Sequence, residues 1–93
     1  MPSRQKTWRV ELTRRAERSL RRLDRAANRR VLDYLGQFEV PGTDPRAKGR
    51  ALRGPLGSLW RYRVGSYRIL CSLEDGALVV LVVDVVHRSD AYR

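Results

Sequence analysis

Arginines at positions 61, 63 and 68 bracket a glycine turn in the run Trp60-Arg61-Tyr62-Arg63-Val64-Gly65-Ser66-Tyr67-Arg68. Guanidinium groups gathered this way bind phosphate oxygens through forked N–H donors and keep their charge at any physiological pH. Trp60, Tyr62 and Val64 alternate with Arg61 and Arg63, the two-residue period of a half-buried strand. Gly65-Ser66 is a two-residue loop with glycine first, the pattern of a type II′ hairpin turn. A loop of that length sets Val64 opposite Tyr67, Arg63 opposite Arg68, Tyr62 opposite Ile69 and Arg61 opposite Leu70. Two arginines then face each other with a third beside them, and Trp60 and Tyr62 point the other way, into a core. Like charges paired across strands destabilise a sheet. A polyanion lying across the arginine face relieves that repulsion.

The whole chain leans the same way. Its 93 residues carry 20 Lys+Arg against 10 Asp+Glu, a formal charge of +10, and only Lys6 and Lys48 among the basic residues are lysines. Such a charge attracts nucleic acid or an acidic protein. The length suits one domain with one modest core. The single cysteine, Cys71, sits in an apolar strand pattern, which suits a small core residue in a reducing cytoplasm. One histidine and one cysteine do not make a zinc ligand set. The polar, basic N-terminus has no apolar segment behind it, so no secretory signal is expected. The run from Leu78 to Val86 is too short to cross a bilayer and is broken by Asp84, which argues against a membrane.

Around the hairpin, residues 1–7 read as a flexible arm and residues 8–93 as a single domain. Trp8 to Leu12 reads as a strand. Thr13 is placed to cap a helix carrying Ala16, Leu20 and Leu23 inward, with Arg14, Arg15, Arg18, Arg21, Arg22 and Arg25 on a solvated face that helps steer a polyanion. Asp24 caps a second helix with Ala27, Val31, Leu35 (or Tyr34) and Phe38 inward. Pro41-Gly42 and Pro45 end it. Residues 40–58 then form a basic Gly/Pro-rich loop, either a solvent-exposed connector or the rim of a groove in which Lys48, Arg50 and Arg53 touch RNA.

Asp75-Gly76 has the character of a two-residue type I′ turn leading into the nearly unbroken apolar run Ala77 to Val86, a strand for the middle of the sheet. Pairing through that turn sets Leu73 opposite Leu78, Cys71 opposite Val80, Ile69 opposite Val82 and Arg68 opposite Val83. Val83, Val85 and His87 then share the face of Arg68, so His87 falls at the edge of the arginine cluster. Asp84, opposite Tyr67, points to the helix-covered face or its edge as an ion-pair or hydrogen-bond partner. The fold class expected is α+β: an N-terminal strand and a two-helix hairpin packed on one face of a mainly antiparallel sheet, with the basic hairpin exposed on the other.

The segments Trp8-Arg9-Val10-Glu11-Leu12, Lys48 through Gly54, Leu59 through Ile69, Val86-His87-Arg88 and Tyr92-Arg93 resemble the RelE family of the RelE/ParE bacterial toxin superfamily. The resemblance covers most of the chain and is most specific around the hairpin. It implies a RelE-like fold and a cytoplasmic toxin that binds in the ribosomal A site and cuts mRNA there. Cleavage in that family is attack of the ribose 2′-hydroxyl on the neighbouring phosphate, with neither cofactor nor metal. A cognate antitoxin holds such a toxin inactive in a hetero-oligomer. The resemblance assigns catalytic roles to Arg61, Arg63, Arg68, Arg88 and Tyr92.

That chemistry needs a base for the hydroxyl, cationic donors around the phosphorane-like transition state and an acid for the leaving 5′-oxygen. Arginines suit the second task. They cannot do the first, because a group that never loses its proton is no base. Some relatives carry lysine where this chain has Arg61 or Arg63, and others a glutamate near the position of Arg50; both are missing here. His87 is the remaining candidate base, since imidazole titrates near neutrality; the alternative is a histidine that ends a strand and bonds locally. Two other functions stay open, a ParE-like gyrase inhibitor that acts by binding, and an inactive basic module. An acidic, partly disordered antitoxin segment folding across the basic face fits the charge.

Overall fold

Two side-chain caps set the helices. The computed structural model describes residues 6–53 and 57–90. Thr13 Oγ1 accepts from the N–H of Ala16 at 3.1 Å and starts helix α1 (Arg14–Arg22). Asp24 Oδ1 accepts from the N–H of Ala27 at 2.7 Å and starts α2 (Arg25–Gly36). Each cap satisfies a donor that the first turn leaves without a partner. The two helices are therefore an almost continuous hairpin, as the spacing of the apolar residues predicts. A short 3-10 turn (Gln37–Glu39) extends α2 and buries Phe38.

The strands are β1 (Arg9–Leu12), β2 (Arg50–Ala51), β3 (Trp60–Val64), β4 (Tyr67–Glu74) and β5 (Val79–His87). They form one sheet in the order β1-β5-β4-β3-β2, with β1 parallel to β5 and every other pair antiparallel. The expected α+β architecture is present. Tyr62, Ile69, Cys71, Val80 and Val82 are fully buried against Ala16, Leu20, Val31, Leu35 and Phe38 of the helical layer. Burying each large apolar side chain contributes on the order of 1.5–3 kcal/mol. Trp8, just before β1, belongs to the same core. Lys6, in the expected flexible arm, is tied down through its carbonyl, which accepts from Gly42 N at 2.8 Å. The outer edge of β1 is blunted, because Glu39 Oε2 accepts from the N–H of Val10 at 2.9 Å.

The β3–β4 hairpin has the expected register, Val64 with Tyr67 and Arg63 with Arg68. Gly65 has φ of +58° while Ser66 stays at negative φ, as a type II′ turn requires. The β4–β5 connection differs in two respects. Asp75 and Gly76 do not form a two-residue type I′ turn. The loop runs from Asp75 to Leu78, closed by Leu78 N–H to Asp75 O at 3.3 Å, and the positive φ, +54°, falls on Leu78. Leu73 consequently pairs with Val80 and Cys71 with Val82. A shift of two residues keeps every side chain on its face.

The second difference does not preserve the faces. A bulge between Leu70 and Cys71 inserts Val83 as an extra residue on β5, so Leu70 pairs with Asp84, Ile69 with Val85, Arg68 with Val86 and Tyr67 with His87. One extra residue reverses the alternation beyond it. Val85 is therefore buried in the core, and Val86 rather than Val83 stands beside Arg68. Asp84 turns to α1, where Oδ1 accepts from Ser19 Oγ at 2.6 Å and from its neighbour Val85 N at 2.8 Å, while Oδ2 accepts from Arg15 Nε at 3.0 Å. Its expected role as an ion-pair and hydrogen-bond partner stands; its expected register partner, Tyr67, is replaced by Leu70.

Asp84 is only 7% exposed. Its ion pair reaches an Arg15 side chain that is 74% exposed and contributes little; the bonds to Ser19 and Val85 matter more. Asp84→Ala should lower stability by about 2–3 kcal/mol, because it strands buried donors. Asp84→Asn, which keeps one acceptor, should cost less. Urea unfolding of both variants measures this, and equal losses would assign the effect to charge instead.

Burial pushes the Cys71 thiol up to about 12. The folded thiol thus keeps its proton at pH values where an unfolded thiol, titrating at about 8.5, has lost it. Its contribution to stability is complete below that value and is lost as pH rises above it. The melting temperature of the wild type should fall more steeply above about pH 8.5 than that of Cys71→Ala. Parallel curves would refute this.

Candidate nucleic-acid interface

The residues expected to form a loop after α2 contain a strand. Pro45–Ala47 make a 3-10 turn capped by Asp44, whose Oδ1 accepts from Arg46 N at 2.9 Å, and Arg50–Ala51 then pair with β3. Arg50 is the direct neighbour of Arg61, and Ala51 of Trp60. Arg63 is the direct neighbour of Arg68 on the other side of β3. Four arginines thus form two like-charge cross-strand pairs on the face of the sheet away from the helices. Arg61 and Arg68 are half-buried, while Arg50 and Arg63 are exposed.

Strand β2 meets only residues 60 and 61 of β3. Beyond that point the edge of β3 has no neighbouring strand among the described residues, and a cleft of about 430 Å³ opens there, lined by Tyr34, Lys48, Gly49, Arg50, Arg61 and Arg63. No carboxylate lines it among the described residues. Its wall is held by the aromatic residues that alternate with the arginines. Tyr62 Oη, buried, donates to Pro45 O at 2.6 Å, and Trp60 Nε1 donates to Lys48 O at 2.7 Å. Burial raises the Tyr62 phenol far above the usual tyrosine range, so it stays a donor. Gly49, at φ +78°, lies flat against β3: a Cβ there would meet the backbone oxygen of Arg61 and lie 2.6 Å from Trp60 Nε1.

Two further contacts brace the segment. Arg46 donates to both oxygens of Asp75 at 2.7 and 2.9 Å, and this hydrogen bonding holds the Asp75 carboxyl below the usual range. Lys48 Nζ donates to Gln37 Oε1 at 2.7 Å and lies 5.9 Å from the centroid of the Tyr34 ring. Tyr34 itself packs on Phe38 and Tyr62, with both centroids at 5.7 Å, and burial raises its phenol too.

Arg61, Arg63 and Arg68 are brought together as expected, and Arg50 and Lys48 join them. Arg88 donates its N–H to Ser66 O at 2.7 Å, which sets it beside the hairpin turn with its side chain exposed. Arg53 is exposed beyond β2 and does not line the cleft. Tyr92 lies outside the described residues.

His87 is not at the arginine cluster. The bulge turns it to the face of Tyr67, whose ring it meets edge-on at 5.5 Å, and its Nδ1 lies 2.8 Å from Ser89 Oγ. There it lines a separate groove of about 490 Å³ with Arg15, Arg18, Arg22, Tyr67 and Asp84. The expectation that His87 serves the arginine face is overturned, for the reason that one inserted residue on β5 reverses its side. The sequence reading overlooked Tyr34, Gln37 and Gly49 as parts of the site. Gly49 between two basic residues, followed by alternating aromatics that need buried partners for their polar tips, was the available signal.

Comparison with known proteins agrees with this architecture. The family model described as the ParE toxin of type II toxin-antitoxin system, parDE, matches residues 10–92. Toxin RelG of Mycobacterium tuberculosis is 31% identical over 84 residues, covering 90% of this chain and 94% of that protein. Toxin RelE of the same organism is 29% identical over 86 residues, covering 92% and 87%. A chain of the RelBE2 toxin–antitoxin complex from M. tuberculosis superposes with a TM-score of 0.78 at 28% identity, covering 92% of this chain and 99% of that one. A chain of the archaeal RelE–RelB complex from Pyrococcus horikoshii gives 0.71 at 29%, covering 92% and 100%. A β3–β4 hairpin bearing arginines, a helical hairpin behind it and relatives matched over nearly their full lengths lead to one family: the chain belongs to the ParE toxin family of type II toxin–antitoxin systems, as a RelE-type toxin.

Proposed function

We propose that this toxin is an mRNA endoribonuclease that acts in the ribosomal A site, cleaving by attack of a ribose 2′-hydroxyl on the adjacent phosphate, with no metal ion in the reaction. The observation that carries the reading is the pairing of Arg50 with Arg61 and of Arg63 with Arg68 on one open face. Four cations with no carboxylate lining the cleft among the described residues form a surface whose cross-strand repulsion a polyanion would relieve. In the reaction, the guanidinium of Arg68 with those of Arg61 and Arg63 holds the non-bridging oxygens as negative charge builds on the phosphorane. A preorganised donor of this kind contributes about 10²- to 10³-fold to the rate. Arg88, at the turn end of the hairpin, extends the same surface along the message.

Relatives in toxin–antitoxin complexes support an antitoxin as the partner of this chain. Its acidic segment competes with RNA for the arginine face. Inducible expression followed by mapping of mRNA 5′ ends and of plasmid supercoiling tests the reading. Cleavage that recurs in register with codons supports it. Accumulated gyrase damage without cleavage would instead identify a gyrase inhibitor, and neither effect would leave a basic binding module.

A further inference from the structure

We propose that Lys48 is the general base of this toxin, an assignment that rests on the RNA-cleavage reading and deepens it. Any group taking the 2′-proton must line the arginine cleft and must be able to give up its own proton. Arg50, Arg61 and Arg63 line it but do not deprotonate. His87 is on the opposite side of the sheet, in another groove. Among the described lining residues only Lys48 and Tyr34 remain, and burial disfavours the tyrosinate that Tyr34 would need to act as a base.

Lys48 is also held in place at both its backbone and its amine. Its carbonyl accepts from Trp60 Nε1 at 2.7 Å, and Gly49 behind it lies against β3. Gln37 and Tyr34 face the amine, and Arg50 of β2 with Arg61 and Arg63 of β3 line the same cleft. Gln37 Oε1 takes one N–H and the Tyr34 ring lies alongside, so the side chain is oriented within the same cleft as the three guanidinium groups. Gln37 is itself fixed, since its Nε2 donates to Tyr34 O at 2.8 Å. A long flexible amine is thereby aimed before substrate arrives, which is the requirement for proton transfer in the transition state.

The step balances without another reagent. The lone pair of the neutral amine takes the 2′-proton, the 2′-oxygen bonds to phosphorus, and the bond from phosphorus to the 5′-oxygen breaks. Solvent protonates the 5′-oxygen, and the ammonium returns its proton to solvent. The products are a 2′,3′-cyclic phosphate and a 5′-hydroxyl.

Single-turnover cleavage of mRNA on programmed ribosomes by the full chain tests this over about pH 6 to 9. Lys48→Arg keeps the charge and removes the base; Lys48→Ala removes both. Both variants should cleave about 10²- to 10³-fold more slowly, with the rise of rate with pH flattened, while Lys48→Arg binds ribosomes as the wild type does. Added ethylamine should restore part of the activity of Lys48→Ala and none of Lys48→Arg. Lys48→Arg cleaving within about threefold of wild type, or amine failing to rescue, would overturn the assignment while leaving the cleavage reading intact. A wild-type chain that leaves ribosomal mRNA uncut sinks both.

Discussion

Replacing Arg68 with alanine should lower ribosome-dependent mRNA cleavage by about 10²- to 10³-fold and leave the isolated protein as stable as before, or more stable by up to about 1 kcal/mol. The two effects have one cause. Arg68 is half-buried and stands directly across from Arg63, and its only side-chain hydrogen bond among the described contacts runs at 3.3 Å to the carbonyl of Tyr67. It gives the fold little and the neighbouring cation repels it. In the proposed reaction the same position would supply donors to oxygens that gain charge, where a desolvated contact is worth far more than in water. Single-turnover cleavage and urea unfolding of Arg68→Ala measure the opposed changes. Undiminished growth arrest at equal levels of soluble protein, or a clear loss of stability, would show that Arg68 is structural. Arg68→Lys should recover only part of the rate, because an ammonium lacks the planar fork.

Gly49→Ala should damage stability and activity together. At φ +78° an L-residue is strained, and the added methyl would press on the carbonyl oxygen of Arg61 and come within 2.6 Å of Trp60 Nε1 and 2.8 Å of the Tyr62 ring. None of these neighbours can yield freely, since Tyr62 is fully buried and Trp60 is bonded to Lys48 O. The strain and the overlap together should cost about 3 kcal/mol. What survives should have the segment from Lys48 to Arg50 lifted off β3, so that cleavage falls at least about tenfold even where the variant is fully folded. Thermal melting and cleavage rates read these two losses. Normal activity in a variant of normal stability would mean that the close approach of this glycine has no part in forming the cleft.

The consequence for regulation follows from where the cations stand. The arginine face lies on the side of the sheet opposite the helical layer, and the β2 end of the sheet is open beside it. An acidic antitoxin segment laid there would neutralise the same pairs that are proposed to grip the message, so inhibition and stabilisation would be two results of one contact. The outer edge of β1, by contrast, is occupied by Glu39 and offers no comparable site at Val10.

Much of the molecule was legible in the chain because it depends on neighbours in sequence. Thr13 and Asp24 cap helices three residues downstream, and the two-residue Gly65-Ser66 turn dictates the pairing of Arg63 with Arg68 by loop length alone. What could not be read there depends on distant residues. The pairing of Arg50 with Arg61 is a contact across a connection whose composition, rich in glycine and proline, says loop. The face of His87 turns on a single inserted residue, Val83, and the carbonyl of that residue accepts from Thr13 Oγ1 at 2.8 Å while Asp84 beside it bonds to Ser19 on α1. Alternation along β5 is the same with or without the bulge. The bulged form is the one that meets the hydrogen bonds of Thr13 and α1, some seventy residues away in the chain, and that tertiary fit turns the one histidine off the arginine face.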